Sequence, residues 1–148
     1  MTSISNDLIW ELTRSNSSYL VKRKTAGGVQ FSKDPLNSSS KYSYSASGFA
    51  NSKAVGVSLN SEGSIVLSTK KAGSFATPKS SVITTTFKPY TSQRKIYKAI
   101  AGATKNYRDD LRADAVKKAS SLLYSKKDKK TFPKKVRGKK AAEFFETE

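Results

Sequence analysis

Cysteine and histidine are both absent from the 148 residues. Without thiols there can be no disulfide, no thiolate nucleophile and no cysteine-held zinc. Without imidazole, the side chain best suited to acid–base work near neutral pH is missing. Acids are scarce too, 11 Asp and Glu against 28 Lys and Arg. Asp7, Glu62, Asp109 and Asp110 sit where helix starts and turns favour them, and no pair has a catalytic spacing. "TAGGVQ" and "GSIVLSTKKAG" hold glycines and lysines, but neither follows the phosphate-loop order into a helix. No apolar run approaches the roughly 18 residues of a membrane span. The opening "MTSISNDLIWELTR", with Asp7 and Glu11, is unlike a secretory signal. The reading is therefore of no enzyme: no catalytic, cofactor-binding or metal residues, no cofactor, no small-molecule substrate and no membrane. The expected location is the cytosolic or nuclear side.

What is present in excess is positive charge. The formal net charge is +17. Residues 1–87 hold ten Lys/Arg and four Asp/Glu, a net of +6, whereas residues 88–148 hold eighteen and seven, a net of +11. "SKKDKKTFPKKVRGKK" carries nine cations and one acid over residues 126–140. Such asymmetry predicts a polyanionic partner, because neutralising nucleic-acid phosphates releases condensed counterions whatever the base sequence.

The length suits one domain with a tail. Apolar periodicity extends to about Tyr124, which predicts a folded domain over 1–124 and an extension over 125–148 that is basic and ends on the acidic, aromatic "AAEFFETE". "SISNDLIWEL" predicts a short helix capped by Ser3 or Ser5, with Ile4, Leu8 and Leu12 as its stripe and Trp10 off it. "SSYLVKRK" and "VQF" around "TAGG" predict a hairpin, and "SKDPLNSSSK" predicts a loop. "YSYSASG" alternates like a strand, with Tyr42, Tyr44 and Ala46 on the side facing the helices. "AVGVSLN" and "SIVLSTKK" flank a turn at Asn60 to Gly63, giving an antiparallel sheet of about four strands. "SVITTTF" fits a further strand or an extended connector.

Two helices should cover that sheet. The first carries Ile96, Ala99, Ile100 and Ala103, followed by Tyr107, with Gly102 available for close packing. The second carries Leu111, Ala115, Ala119 and Leu122, widened by Val116 and Leu123, with Asp109 and Asp110 at its start. The fold class expected is α+β, a small antiparallel sheet packed with an N-terminal helix and two C-terminal helices, followed by an extended basic tail.

Lysine outnumbers arginine 22 to 6, which favours diffuse phosphate neutralisation over reading of bases. The RNA-binding candidates are Arg14, Lys22, Arg23 and Lys24 in the first part, and Arg94, Lys95, Lys98, Arg108, Arg112, Lys117 and Lys118 in the helical part. Lys126, Lys127, Lys129, Lys130, Lys134, Lys135, Arg137, Lys139 and Lys140 complete the set in the tail. A DNA-compacting basic protein competes on charge, but the chain has no helix-turn-helix or winged-helix pattern.

Four stretches carry a resemblance: "LIWELTRSNSSYLVKR", "FSKDPLN" with "KYSYSASGFANSKAVGV", "GSIVLSTKK" with "SSVITTTF", and "YRDDLRADAVKKASSLLYSKK". In order and content they resemble the 28e family of eukaryotic large-subunit ribosomal proteins. The resemblance implies a structural constituent of the cytosolic 60S subunit, bound to large-subunit rRNA and neighbouring ribosomal proteins. It implies passage through the nucleolus during assembly and no catalytic residues. It also places Asn16, Lys22, Arg23, Tyr107, Arg108, Leu111 and Arg112 on the family's two signatures, with RNA-binding or fold-supporting roles. The alternative it leaves is a nucleolar ribosome-assembly factor with the related domain.

Overall fold

The structure is a computed structural model and describes residues 4–25, 27–71 and 80–131. Helix α1 (Asn6–Thr13) comes first, then a two-stranded antiparallel ribbon of β1 (Leu20–Lys22) and β2 (Gln30–Ser32). A three-stranded antiparallel sheet follows in the order β3 (Val55–Leu59), β4 (Ile65–Lys70), β5 (Val82–Phe87). Helix α2 (Gln93–Lys105), a single 3₁₀ turn (Asp109–Leu111) and helix α3 (Arg112–Ser125) complete the described elements. The α+β architecture expected from the sequence is present, and the 82–87 segment is a strand, paired with β4 over its whole length.

Strand alternation decides which face of the larger sheet is covered. Val55 and Val57 on β3 and Ile65 and Leu67 on β4 all point to the helix side. They meet Ile96 and Ile100 of α2 and Ala115, Ala119 and Leu123 of α3 in one core. The two alanines have no bulk to hold a helix away, so α3 packs on β3 and β4 while α2 packs on α3. The β3–β4 hairpin closes as expected. Asn60 accepts from the Gly63 amide at 2.9 Å, and Gly63 takes a φ of 76°, which L side chains rarely adopt.

The helix stripes differ in detail from the sequence pattern. On α2 the buried positions are Ile96, Ile100 and Thr104, a strict four-residue step; Ala99 and Ala103 face solvent. Thr104 is fully buried because its hydroxyl donates back to the Ile100 carbonyl at 2.9 Å. On α3 the same step runs Ala115, Ala119, Leu123, with Leu122 only partly buried. Gly102 is not a packing glycine, since a Cβ there would meet nothing within 4 Å. Gly102→Ala should therefore stabilise the chain by about 0.5–1 kcal/mol, read as a higher denaturant midpoint.

Two expectations fail around Tyr42 and Tyr44. The "YSYSASG" segment forms turns, not a strand, and only Lys41 makes a bridge, to Phe31. Local side-chain bonds hold it instead: Ser47 Oγ accepts from the Ala50 amide at 3.3 Å, and Asn51 Nδ2, just past the segment, donates to the carbonyls of Tyr44 at 2.6 Å and Ser47 at 2.9 Å. Nor do the tyrosines lie under the helices. Their rings pack on Trp10 of α1, with centroids 5.2 Å away for Tyr42 and 5.8 Å for Tyr44. Helix α1, capped by Ser5, thus attaches through the residue off its apolar stripe. The stripe itself points outward, Ile4, Leu8 and Leu12 being 63%, 52% and 67% exposed.

The 33–54 loop is held by three polar nodes. Asp34 accepts from the Leu36 amide at 2.9 Å and the Gly48 amide at 2.8 Å. Lys70 reaches from β4 to the carbonyls of Gly48 at 3.0 Å and Asn51 at 2.8 Å. Burial lowers the Lys70 pKa, with Asp34 opposing that shift. The Tyr107 hydroxyl accepts from the Ala54 amide at 3.1 Å and donates to the Lys70 carbonyl, and burial raises its pKa. Tyr107→Phe should leave both backbone groups without this partner and cost about 2–4 kcal/mol in a denaturant melt.

Candidate nucleic-acid interface

Among the described residues, α2 carries a face of unpaired positive charge. Its sequence, QRKIYKAIAGATK, has no acid, so placing Ile96, Ile100 and Thr104 inward leaves Arg94, Lys95, Lys98 and Lys105 outside. None of the four makes an ion pair among the described residues. A helix whose exposed face carries cations and no carboxylate repels itself unless an anion lies along it.

The candidates on other elements have partners, mostly weak ones. Arg14 lies 3.2 Å from Glu11, Arg112 lies 3.8 Å from Asp109 and Lys117 lies 3.7 Å from Asp114. Exposed pairs of this kind contribute about 0–1 kcal/mol, so a phosphate can displace them. Lys22, Arg23 and Lys24 are exposed beside the β1–β2 turn. Lys118 donates to Ser40 Oγ at 2.6 Å, and Lys126 to the Gly63 carbonyl at 3.2 Å. Lys127, Lys129 and Lys130 are exposed beyond α3, while Lys134, Lys135, Arg137, Lys139 and Lys140 lie outside the described residues.

Arg108 has a different place from the one its chemistry suggested. Its Nε and Nη2 donate to Asp110 at 2.8 and 2.6 Å, Nη1 to the Lys53 carbonyl at 2.9 Å, and Nη2 also to the Ser45 carbonyl at 2.7 Å. The rigid fork that would grip a phosphate instead ties the 45–53 loop to the start of α3. The hydrogen bond from Arg108 holds the Asp110 carboxyl below the usual carboxylate range. A depressed folded pKa stabilises the fold above the unfolded value, and that contribution is lost as pH falls through the folded one. The expected signature is an acid-side loss of stability below about pH 4 that Asp110→Asn removes, measured by melts across pH. Asp110 accordingly works as the partner of Arg108, and it and Asp109 stand in the first turn of the 3₁₀ segment, where a positive helix end favours acids.

Sequence reading passed over Lys41, Lys53 and Lys70. Lys70 is half-buried and committed to the carbonyls of Gly48 and Asn51, and Lys53 lies over the Tyr107 ring with its Nζ 5.7 Å from the centroid. Lys41 shares an open hollow with Lys117 and Lys118. No signal in a single sequence joins positions so far apart.

No helix among the described residues is long and apolar enough to cross a membrane, and no group of acids among them could hold a metal. The model of the ribosomal L28e protein family matches residues 8–125. The chain belongs to this family. The L28e match spans every described element from α1 to α3, leaving out only the first two residues of α1. Relatives agree. The large ribosomal subunit protein eL28 of Schizosaccharomyces pombe is 44% identical over 131 residues, covering 87% of this chain and 98% of the relative. The eL28 of Trypanosoma cruzi is 31% identical, covering 83% and 82%, and that of Dictyostelium discoideum is 31% identical, covering 76% and 82%. L28e proteins are structural rather than enzymatic, and this chain is one of them.

Proposed function

We propose that the chain is a structural constituent of the cytosolic large (60S) ribosomal subunit, where it binds rRNA and neighbouring ribosomal proteins and supports translation. The observation that carries this reading is the acid-free cationic face of α2, on a chain of the L28e family whose curated relatives are large-subunit proteins. Phosphates along that face would take the place of the missing carboxylates. Its lysines would neutralise without reading bases, while the fold supplies shape.

The division of labour follows from charge and packing. Residues 1–124 would act as the folded body, with α3 running one residue past that boundary, and 125–148 as the extension, whose cations would run along or between RNA helices. Ordering such a segment requires anions, because its own charges repel. The protein would pass through the nucleolus during assembly and reside in cytoplasmic ribosomes. A protein making about six to ten phosphate contacts loses about 10³–10⁵ in affinity between 50 and 200 mM salt. Charge alone would therefore bind any RNA weakly at cellular salt, and shape must select the site.

Neutralising α2 with Arg94→Gln, Lys95→Gln and Lys98→Gln together should lower the salt-dependence slope of rRNA-fragment binding by about 2–3. The melting temperature should not fall, since these side chains are exposed and removing them relieves their mutual repulsion. An unaltered slope would remove α2 from the interface. Sedimentation of extract in moderate salt tests the wider reading: the chain should travel with 60S particles and translating ribosomes. A copy confined to nucleolar precursors would mark an assembly factor, and one confined to chromatin a DNA compactor.

A further inference from the structure

Two open hollows meet on the outer side of α3. One, of about 590 Å³, lies between α3 and the 38–41 loop and is lined by Ser40, Lys41, Lys117 and Lys118 among others. The second, of about 620 Å³, is walled by Tyr97 of α2 and Tyr124 of α3, with Val116 between. Both are lined by Lys117 and Ser121, one helical turn apart, so one ligand can occupy both. Volumes of this order lie in the range of small-ligand sites.

The polar hollow is pre-shaped. Buried Asn37 donates to the Lys41 carbonyl at 2.9 Å and accepts from the Ser40 amide at 2.9 Å, while Ser38 Oγ donates to the Val55 carbonyl at 2.7 Å. Ser40 takes a φ of 59°, the one positive value for a non-glycine residue among those described. Lys118 donates to Ser40 Oγ, which leaves the hydroxyl proton free to point at an acceptor. Against three lysines there is one carboxylate, Asp114, 3.7 Å from Lys117. The hollow therefore suits an anion with several oxygens.

The second hollow offers what a phosphate does not need. Tyr124 is 74% exposed, a large aromatic ring left in solvent on the last turn of α3. Cations beside exposed aromatic rings are how proteins hold nucleotides whose bases are unpaired, phosphate on charge and base on ring. We propose that this double hollow binds single-stranded RNA, with backbone phosphates at Lys41, Lys117 and Lys118, the Ser40 hydroxyl on a phosphate or ribose oxygen, and a base stacked on Tyr124 beside Tyr97. The proposal rests on the RNA-binding reading and narrows it: α2 meets phosphates of any RNA, and this site needs unpaired nucleotides.

The test is fluorescence anisotropy of the full chain with a short single-stranded RNA and with the duplex of the same sequence. Tyr124→Ala should weaken single-strand binding about five- to a hundred-fold. Tyr124→Phe, which keeps the ring, should bind as the unaltered chain does, and duplex affinity should be unchanged by either. Lys41→Gln with Lys117→Gln should lower the single-strand salt slope by about 1–2. All three side chains are exposed, so the fold is not at risk. Unchanged single-strand affinity in Tyr124→Ala, or equal losses on single strand and duplex, overturns the proposal. The broader reading is judged separately: if Tyr124→Ala loses its binding effect but the chain still sediments with 60S particles, only the site is wrong.

Discussion

Gly56→Ala should remove about 4 kcal/mol or more of stability, and Gly56→Val should not fold. Gly56 is the second residue of β3, inside a strand that a glycine ordinarily weakens. A Cβ there would come 2.1 Å from the Pro35 carbonyl oxygen and 2.9 Å from Leu36 Cα. Both are backbone atoms, so no side-chain rotation relieves the clash. The Pro35–Leu36 segment is in turn fixed by Asp34, by the parallel bridge of Asn37 to Val55, and by Ser38 on the Val55 carbonyl. The loop must leave the sheet or β3 must bend. Overpacking a core usually costs about 1–3 kcal/mol; a backbone collision within a pinned crossing should exceed that. A domain of this size has only about 5–15 kcal/mol in total. Urea unfolding of the alanine variant should show a much lower midpoint, and an unaltered midpoint would mean that the loop does not cross there.

Ile100→Ala should cost about 3–5 kcal/mol. Ile100 is 0% exposed and sits where α2, α3 and the sheet share one core. Three carbons removed from such a position leave a cavity that the facing alanines, Ala115 and Ala119, are too short to fill. The contrast is on the same helix. Ala99→Ser and Ala103→Ser, both at exposed positions, should stay within about 0.5 kcal/mol of the unaltered chain. If Ala103→Ser proved as costly as Ile100→Ala, the buried face of α2 would be the one its sequence first suggested.

These two residues mark what a single sequence can and cannot disclose. The turn at Asn60 to Gly63 was legible because its requirements are local: a short polar link, then a glycine for a positive φ. The rotation of α2 was half legible. Ile96 and Ile100 define the stripe, but alanine is as content in water as in a core, and Thr104 earns its burial only by bonding its own helix. Gly56 was not legible, since its reason for being glycine is a loop some twenty residues earlier in the chain. Tyr42 and Tyr44 misled because serine alternation imitates a strand while the hydroxyls and Asn51 satisfy a turn. Trp10 was legible as standing off the α1 stripe, but its partners, the two tyrosines, were not.

The candidate interface divides along the same line. The cations of α2 follow from helical period alone, and the structure leaves them free of acids. Arg108 does not, because a guanidinium that fits phosphate also fits two carbonyls and a carboxylate. Lys41, Lys117 and Lys118 became a group only when the 38–41 loop was laid against α3. Charge totals thus predict the kind of partner, and tertiary structure decides which cations remain to meet it.

A structural constituent must still reside in the particle when assembly is complete. Quantitative mass spectrometry of mature cytosolic large subunits, washed in moderate salt, should find one copy per particle alongside the core ribosomal proteins. Mature particles that lack it, with the chain recovered instead on precursors or on chromatin, would contradict the account.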